Sequence, residues 1–132
     1  MAPKDEFKSD MIGALELIRE SHLASWNGEE IPLTIGEFRI VDLLANRTGE
    51  DVGYREIYDV VRGQGFVAGQ GPDGYRQNVR TFVKRIRQKF RRSDPTFGAI
   101  ENCPGIGYRW RHGDVAAASG VLAAELRLPL AD

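Results

Sequence analysis

The stretch Tyr75 to Arg92, YRQNVRTFVKRIRQKFRR, constrains this chain more than any other, because eight of its eighteen residues are basic and none is acidic. The apolar residues Tyr75, Val79, Phe82, Val83, Ile86 and Phe90 recur at a spacing that, at about 100° per residue, gathers them into one stripe of a helix. The spacing therefore predicts an amphipathic helix packed by that stripe. Its opposite face presents Gln77, Thr81, Lys84 and Gln88, flanked by Arg80, Arg85 and Arg87. A solvated helix face ordinarily mixes signs, which keeps it soluble without self-repulsion. Positive charge alone over about five turns asks for a polyanion. Guanidinium forks, flanking cations and a methyl-bearing threonine are also what base edges and phosphates accept in a major groove.

The formal charge of −1 conceals this segregation: of 18 Lys and Arg, eight sit here, and the other ten face all 19 Asp and Glu. A chain of 132 residues is most simply one domain with a modest core. The single cysteine, Cys103, excludes an internal disulfide framework and any CxxC metal site, so no metal or cofactor is expected and the setting is reducing. The charged N-terminus has no apolar core, and no run is long and apolar enough for a membrane span, so a cytoplasmic protein without membrane partners is expected. His22 and His112 lie in unrelated segments, Cys103 has no activating neighbour in sequence and no paired carboxylates stand out, so catalysis is not expected.

In chain order, 1–13 reads as a linker, 14–112 as the folded domain and 113–132 as an Ala- and Leu-rich tail of undecided role. Leu15 to Ile18, Leu23 to Trp26 and Glu30 to Leu33 read as antiparallel strands, the last two joined at Asn27-Gly28, the preferred type I′ hairpin turn. Trp26 is expected in the core. Thr34 to Glu37 forms a Ser/Thr-x-x-Glu capping box opening a helix that stops near Asn46 to Gly49. A second helix, Tyr54 to Val61, lacks a capping residue at its start, and the glycine-rich stretch from Arg62 to Gly74 is a loop. That loop has no Walker motif and follows a helix rather than a strand, which argues against a nucleotide cradle. Asp73 is placed to cap the basic helix. Ala99 to Asn102 and Tyr108 to Arg111 read as a hairpin around Cys103 to Gly107, with Tyr108 and Trp110 facing inward and Arg109 and Arg111 outward.

Sheet, capped helix, short helix, loop, basic helix and hairpin are the layout of an α+β winged helix-turn-helix: an N-terminal antiparallel sheet, three helices and a C-terminal β-hairpin wing. The segments Leu33 to Leu44 (LTIGEFRIVDLL), Tyr54 to Val61 (YREIYDVV), Asn78 to Phe90 (NVRTFVKRIRQKF) and Gly105 to Trp110 (GIGYRW) closely resemble the DNA-binding effector domain of OmpR/PhoB-class response regulators, ChvI-type regulators in particular. The resemblance implies a two-component transcription regulator with its recognition helix in the major groove of double-stranded DNA and its wing at the minor groove. It implies base-edge roles for Arg80, Thr81, Lys84 and Arg85, and phosphate or wing contacts from Arg76, Gln77, Asn78, Arg87, Tyr108 and Arg109. It also implies that the 62–74 loop meets RNA polymerase, with Gln64, Phe66 and Val67 as contact candidates, and that two copies bind repeated half-sites.

Three departures from the family are visible. Ile106 stands where members often carry a phosphate-binding hydroxyl, and Arg80 where several carry an acid, so the target sequence is not transferable. Nothing before Leu15 supplies the acidic cluster or phospho-acceptor of a receiver domain, so the expectation is an excised effector domain or a stand-alone regulator. The competing reading is a winged-helix protein-docking module whose basic helix meets an acidic partner.

Overall fold

The structure, a computed structural model, describes residues 9–62 and 74–111. The lead-in before Ser9, the loop with Gln64, Phe66, Val67 and Asp73, and the tail from His112 lie outside the described residues.

Four strands open the chain as an antiparallel meander: β1 (Asp10–Ile12), β2 (Leu15–Ile18), β3 (Leu23–Trp26) and β4 (Glu29–Ile31). The β3–β4 turn is the one the Asn-Gly pair dictates: Trp26 faces Glu29, and Asn27 and Gly28 have φ of 54° and 83°, the double left-handed geometry of a type I′ turn. β1 places Asp10–Ile12 in the sheet, inside the stretch 1–13 read from the sequence as a linker. Asp10–Ile12 shows no apolar alternation and leaves Met11 exposed, so it is held by main-chain pairing to β2 and by an ion pair from Arg19 to Asp10. Arg19 also bonds Asp42 (2.9 Å) and Asn46 (3.1 Å), fastening the sheet to the next helix.

That helix, α1 (Ile35–Asn46), begins with the complete capping box: Thr34 Oγ1 accepts from Glu37 N, and Glu37 Oε1 accepts from Thr34 N at 2.9 Å. Glu37 is nearly fully buried, and Lys89 Nζ reaches the same carboxylate oxygen at 2.6 Å. The capping device thus also anchors the basic helix. α2 (Tyr54–Val61) has the predicted bounds and no side-chain cap. Its start is held by a strand too short to show a period, β5 (Val52–Gly53), and by Tyr54 N–H donating to Ile106 O at 3.0 Å. The basic helix is α3 (Gly74–Ser93), 20 residues long.

The wing consists of β6 (Ile100–Cys103) and β7 (Gly107–Trp110), with β7 central in a three-stranded sheet, β5-β7-β6. Gly107 permits that closure, because a Cβ there would lie 2.0 Å from Val52 O. The core spans both sheets and all three helices. At its centre Trp26, Phe90, Phe97 and Trp110 meet with ring centroids 4.4 to 6.4 Å apart, joining β3, α3, the turn after it and β7.

Asp94, just past α3, accepts from Trp26 Nε1 (2.8 Å) and from Thr96 N and Oγ1, bonds that hold its carboxyl below the usual aspartate value, the Thr96 hydroxyl contributing most. A folded-state pKa below the unfolded one stabilises above the unfolded value and is lost as pH falls through the folded value. Thermal melts across the acid range should accordingly show Asp94→Asn less stable near neutrality and less sensitive to acid than the wild type. Thr34→Ala, which removes one capping acceptor, should cost about 1 kcal/mol in chemical denaturation.

Candidate nucleic-acid interface

α3 buries most of its apolar stripe: Val79, Val83, Ile86 and Phe90 have no solvent exposure, and Tyr75 and Phe82 are partly covered. The opposite side projects Gln77, Arg80, Lys84, Arg85 and Gln88 into solvent, with Thr81 half-exposed and its hydroxyl turned back to Gln77 O at 3.1 Å. Lys84, Arg85 and Arg92 make no ion pair among the described residues. All four residues expected at base edges, Arg80, Thr81, Lys84 and Arg85, therefore lie on one outward surface.

The other cations of α3 are shared with the protein. Lys89 is bonded to Glu37, and Arg91 Nε donates to Phe97 O at 3.2 Å. Arg87 Nη2 donates to Ile100 O (2.7 Å) and Asn102 Oδ1 (2.8 Å) while its guanidinium lies 5.6 Å from the Tyr108 ring centre. Half-buried, it is held below the ordinary arginine value by desolvation. Arg87 thus braces the helix to the wing, a connection that no spacing in the sequence signals. Arg76 and Asn78 are half-exposed on the flank, Arg76 lying 5.7 Å from the Tyr54 ring centre.

In the wing, the alternation places residues as expected, with Tyr108 and Trp110 buried and Arg109 and Arg111 partly exposed. Burial also pushes the Tyr108 hydroxyl's pKa up. The wing is less basic than its arginines suggest. Arg109 bonds Glu101 (3.1 Å) and Asp51 (3.2 Å), and these carboxylates, Glu101 foremost, raise its pKa. Cys103 Sγ donates to Asp51 at 3.2 Å, and burial pushes the thiol up, away from a reactive thiolate. Among the described residues no cluster of His, Cys, Asp or Glu is placed to hold a metal ion, and no helix is long and apolar enough to cross a membrane.

A family model described as "Transcriptional regulatory protein, C terminal" matches residues 28–110. The nisin biosynthesis regulatory protein NisR of Lactococcus lactis is 30% identical over 108 residues, covering 82% of this chain and 43% of NisR. The response regulator SaeR of Staphylococcus aureus is 29% identical over 96 residues, covering 73% of this chain and 40% of SaeR. The chain thus spans about two-fifths of the length of these relatives. Among solved structures, the Klebsiella pneumoniae RstA DNA-binding domain in complex with RstA box superposes with a TM-score of 0.63 at 21% identity, covering 80% of this chain and 98% of that one. At that identity the likeness carries the winged-helix fold.

The Arg87 brace separates structural from exposed cations. Arg87→Met should cost about 1–3 kcal/mol in urea denaturation, because Ile100 O and Asn102 Oδ1 lose a charged donor. Arg85→Met, with no partner to lose, should change stability by less than about 0.5 kcal/mol.

Proposed function

The chain belongs to the family of C-terminal domains of transcriptional regulatory proteins, the winged-helix effector domains of OmpR/PhoB-class response regulators, and from that membership we propose that it binds double-stranded DNA in a sequence-specific manner to regulate transcription. The observation that carries the reading is the surface of α3: Arg80, Lys84 and Arg85 are exposed on a helix free of acids whose other face packs Val79, Val83, Ile86 and Phe90 into the core. A rigid helix about 10–12 Å across fits a major groove about 12 Å wide. Arg80, Thr81, Lys84 and Arg85 meet base edges there, while Arg76, Gln77, Asn78 and Arg92 meet flanking phosphates. The wing follows the backbone toward the minor groove, with exposed Ile106 at its tip. Because Arg109 is already paired, the wing adds more shape than charge.

Three finer parts of the proposal rest on family position. The segment 62–74, which joins α2 to α3, contacts RNA polymerase through Gln64, Phe66 and Val67. Two copies occupy half-sites about one helical turn apart. The protein works in the cytoplasm, where its DNA target and a reducing medium for Cys103 are found.

The test is a binding titration of labelled duplex over a range of salt concentrations, using fragments selected from random DNA and scrambled controls. With about five cations of α3 (Arg76, Arg80, Lys84, Arg85 and Arg92) displacing counterions from the duplex, log affinity should fall against log salt with a slope of about −4.5. Arg85→Ala should weaken the selected duplex by about 1–3 kcal/mol and relax discrimination at one base pair. An affinity indifferent to salt, or equal for selected and scrambled duplexes, would defeat the proposal.

A further inference from the structure

α2 begins with Gly53 as its N-cap and Tyr54 as its first helical residue, neither offering a side-chain cap. The Tyr54 amide is satisfied by Ile106 O, which leaves the ring for other work. The Arg80 guanidinium lies 5.2 Å from the Tyr54 ring centre and that of Arg76 5.7 Å. The ring itself is fixed edge-on against buried Tyr108, with centroids 5.7 Å apart and an interplanar angle of 77°. Arg80 is exposed, and its Nη1 donates to Gln77 Oε1 at 3.3 Å. No carboxylate among the described residues pairs with it.

A carboxylate would hold an arginine by consuming its donors, whereas an aromatic ring holds the guanidinium by its face and leaves the edge donors available. An unsupported arginine on a helix surface samples many rotamers and must be ordered when it binds. We infer that Tyr54 is a specificity-determining positioning residue, which holds Arg80 in a preorganised pose to read a guanine through O6 and N7. Guanine follows from the chemistry, since its two major-groove acceptors match the spacing of the guanidinium fork. Gln77 fixes the direction of the fork from one turn earlier. The inference rests on the proposed DNA-binding reading and adds to it a residue on a different helix from the one that enters the groove.

The test is competition binding with the selected duplex and the three alternatives at each base pair in the half-site, run on wild type, Tyr54→Leu, Tyr54→Phe and Arg80→Ala, each first checked for cooperative unfolding. Arg80→Ala should erase a guanine preference at one base pair. Tyr54→Leu should reduce that same preference by about threefold to tenfold, with a smaller loss on scrambled duplex because Arg76 loses the same ring. Tyr54→Phe, which keeps the ring, should retain the preference. Should Tyr54→Leu fail to fold, the mobility of the Arg80 Nε–H group in the free wild type, measured by NMR relaxation, carries the test: an ordered guanidinium is expected of an arginine held on the Tyr54 ring. A wild type with no base preference anywhere would overturn DNA recognition itself. A guanine preference lost in Arg80→Ala but kept in Tyr54→Leu would overturn the role of Tyr54 alone, as would its loss in Tyr54→Phe or a freely mobile Arg80 guanidinium.

Discussion

Everything in this molecule depends on the burial of one side of α3 against the aromatic cluster of Trp26, Phe97 and Trp110. As an isolated peptide the helix would be poor, because Arg76 and Arg80, Arg80 and Lys84, Arg85 and Lys89, and Arg87 and Arg91 are like charges one turn apart. Each such pair costs about 0.2–0.5 kcal/mol. Fully burying Val79, Val83, Ile86 and Phe90 contributes about 1.5–3 kcal/mol each, several times the repulsion. Tertiary packing is therefore what permits so many cations on one helix, and the stripe that supplies it also fixes which cations face outward.

Most of this architecture is legible in the sequence because it rests on period and turn chemistry. The spacing of Val79, Val83, Ile86 and Phe90 gives the helix and its orientation, Asn27-Gly28 gives the hairpin, and Thr34 with Glu37 gives the helix start. The features that stayed hidden have no period to read. β1 and β5 are three and two residues long and exist through pairing with distant partners. The outward placement of Arg80, Lys84 and Arg85 followed from the wheel. The commitment of Arg87, Lys89 and Arg91 to Asn102, Glu37 and Phe97 did not, because it depends on contacts six to 52 positions away.

Those hidden contacts redistribute the charge that the sequence displays. Glu37, which reads as a capping residue alone, neutralises Lys89, while Asp51 and Glu101 neutralise Arg109 at the wing. Cations without an ion pair among the described residues are thereby gathered mainly on the exposed side of α3, with Arg39 and Arg111 outside it. A field concentrated on one ridge orients an approaching polyanion better than the same charge spread over helix and wing.

Arginines are restrained here in two ways, and Arg55 on α2 and Arg62 at its end in both at once. Arg19, Arg47 and Arg109 are held by carboxylates, Arg47 by both Glu50 and Glu56, and each is neutralised as it is held. Arg76, Arg80 and Arg87 are held against Tyr54 and Tyr108, two rings that touch each other edge to face. An aromatic face restrains a cation without cancelling it, since a quadrupole attracts the charge but adds no opposite one. Three guanidiniums can consequently stand close together where α2, α3 and the wing converge, a concentration that carboxylate partners would have cancelled. Using tyrosine rather than Asp or Glu at this junction restrains the side chains and leaves their charge to act on whatever anion approaches.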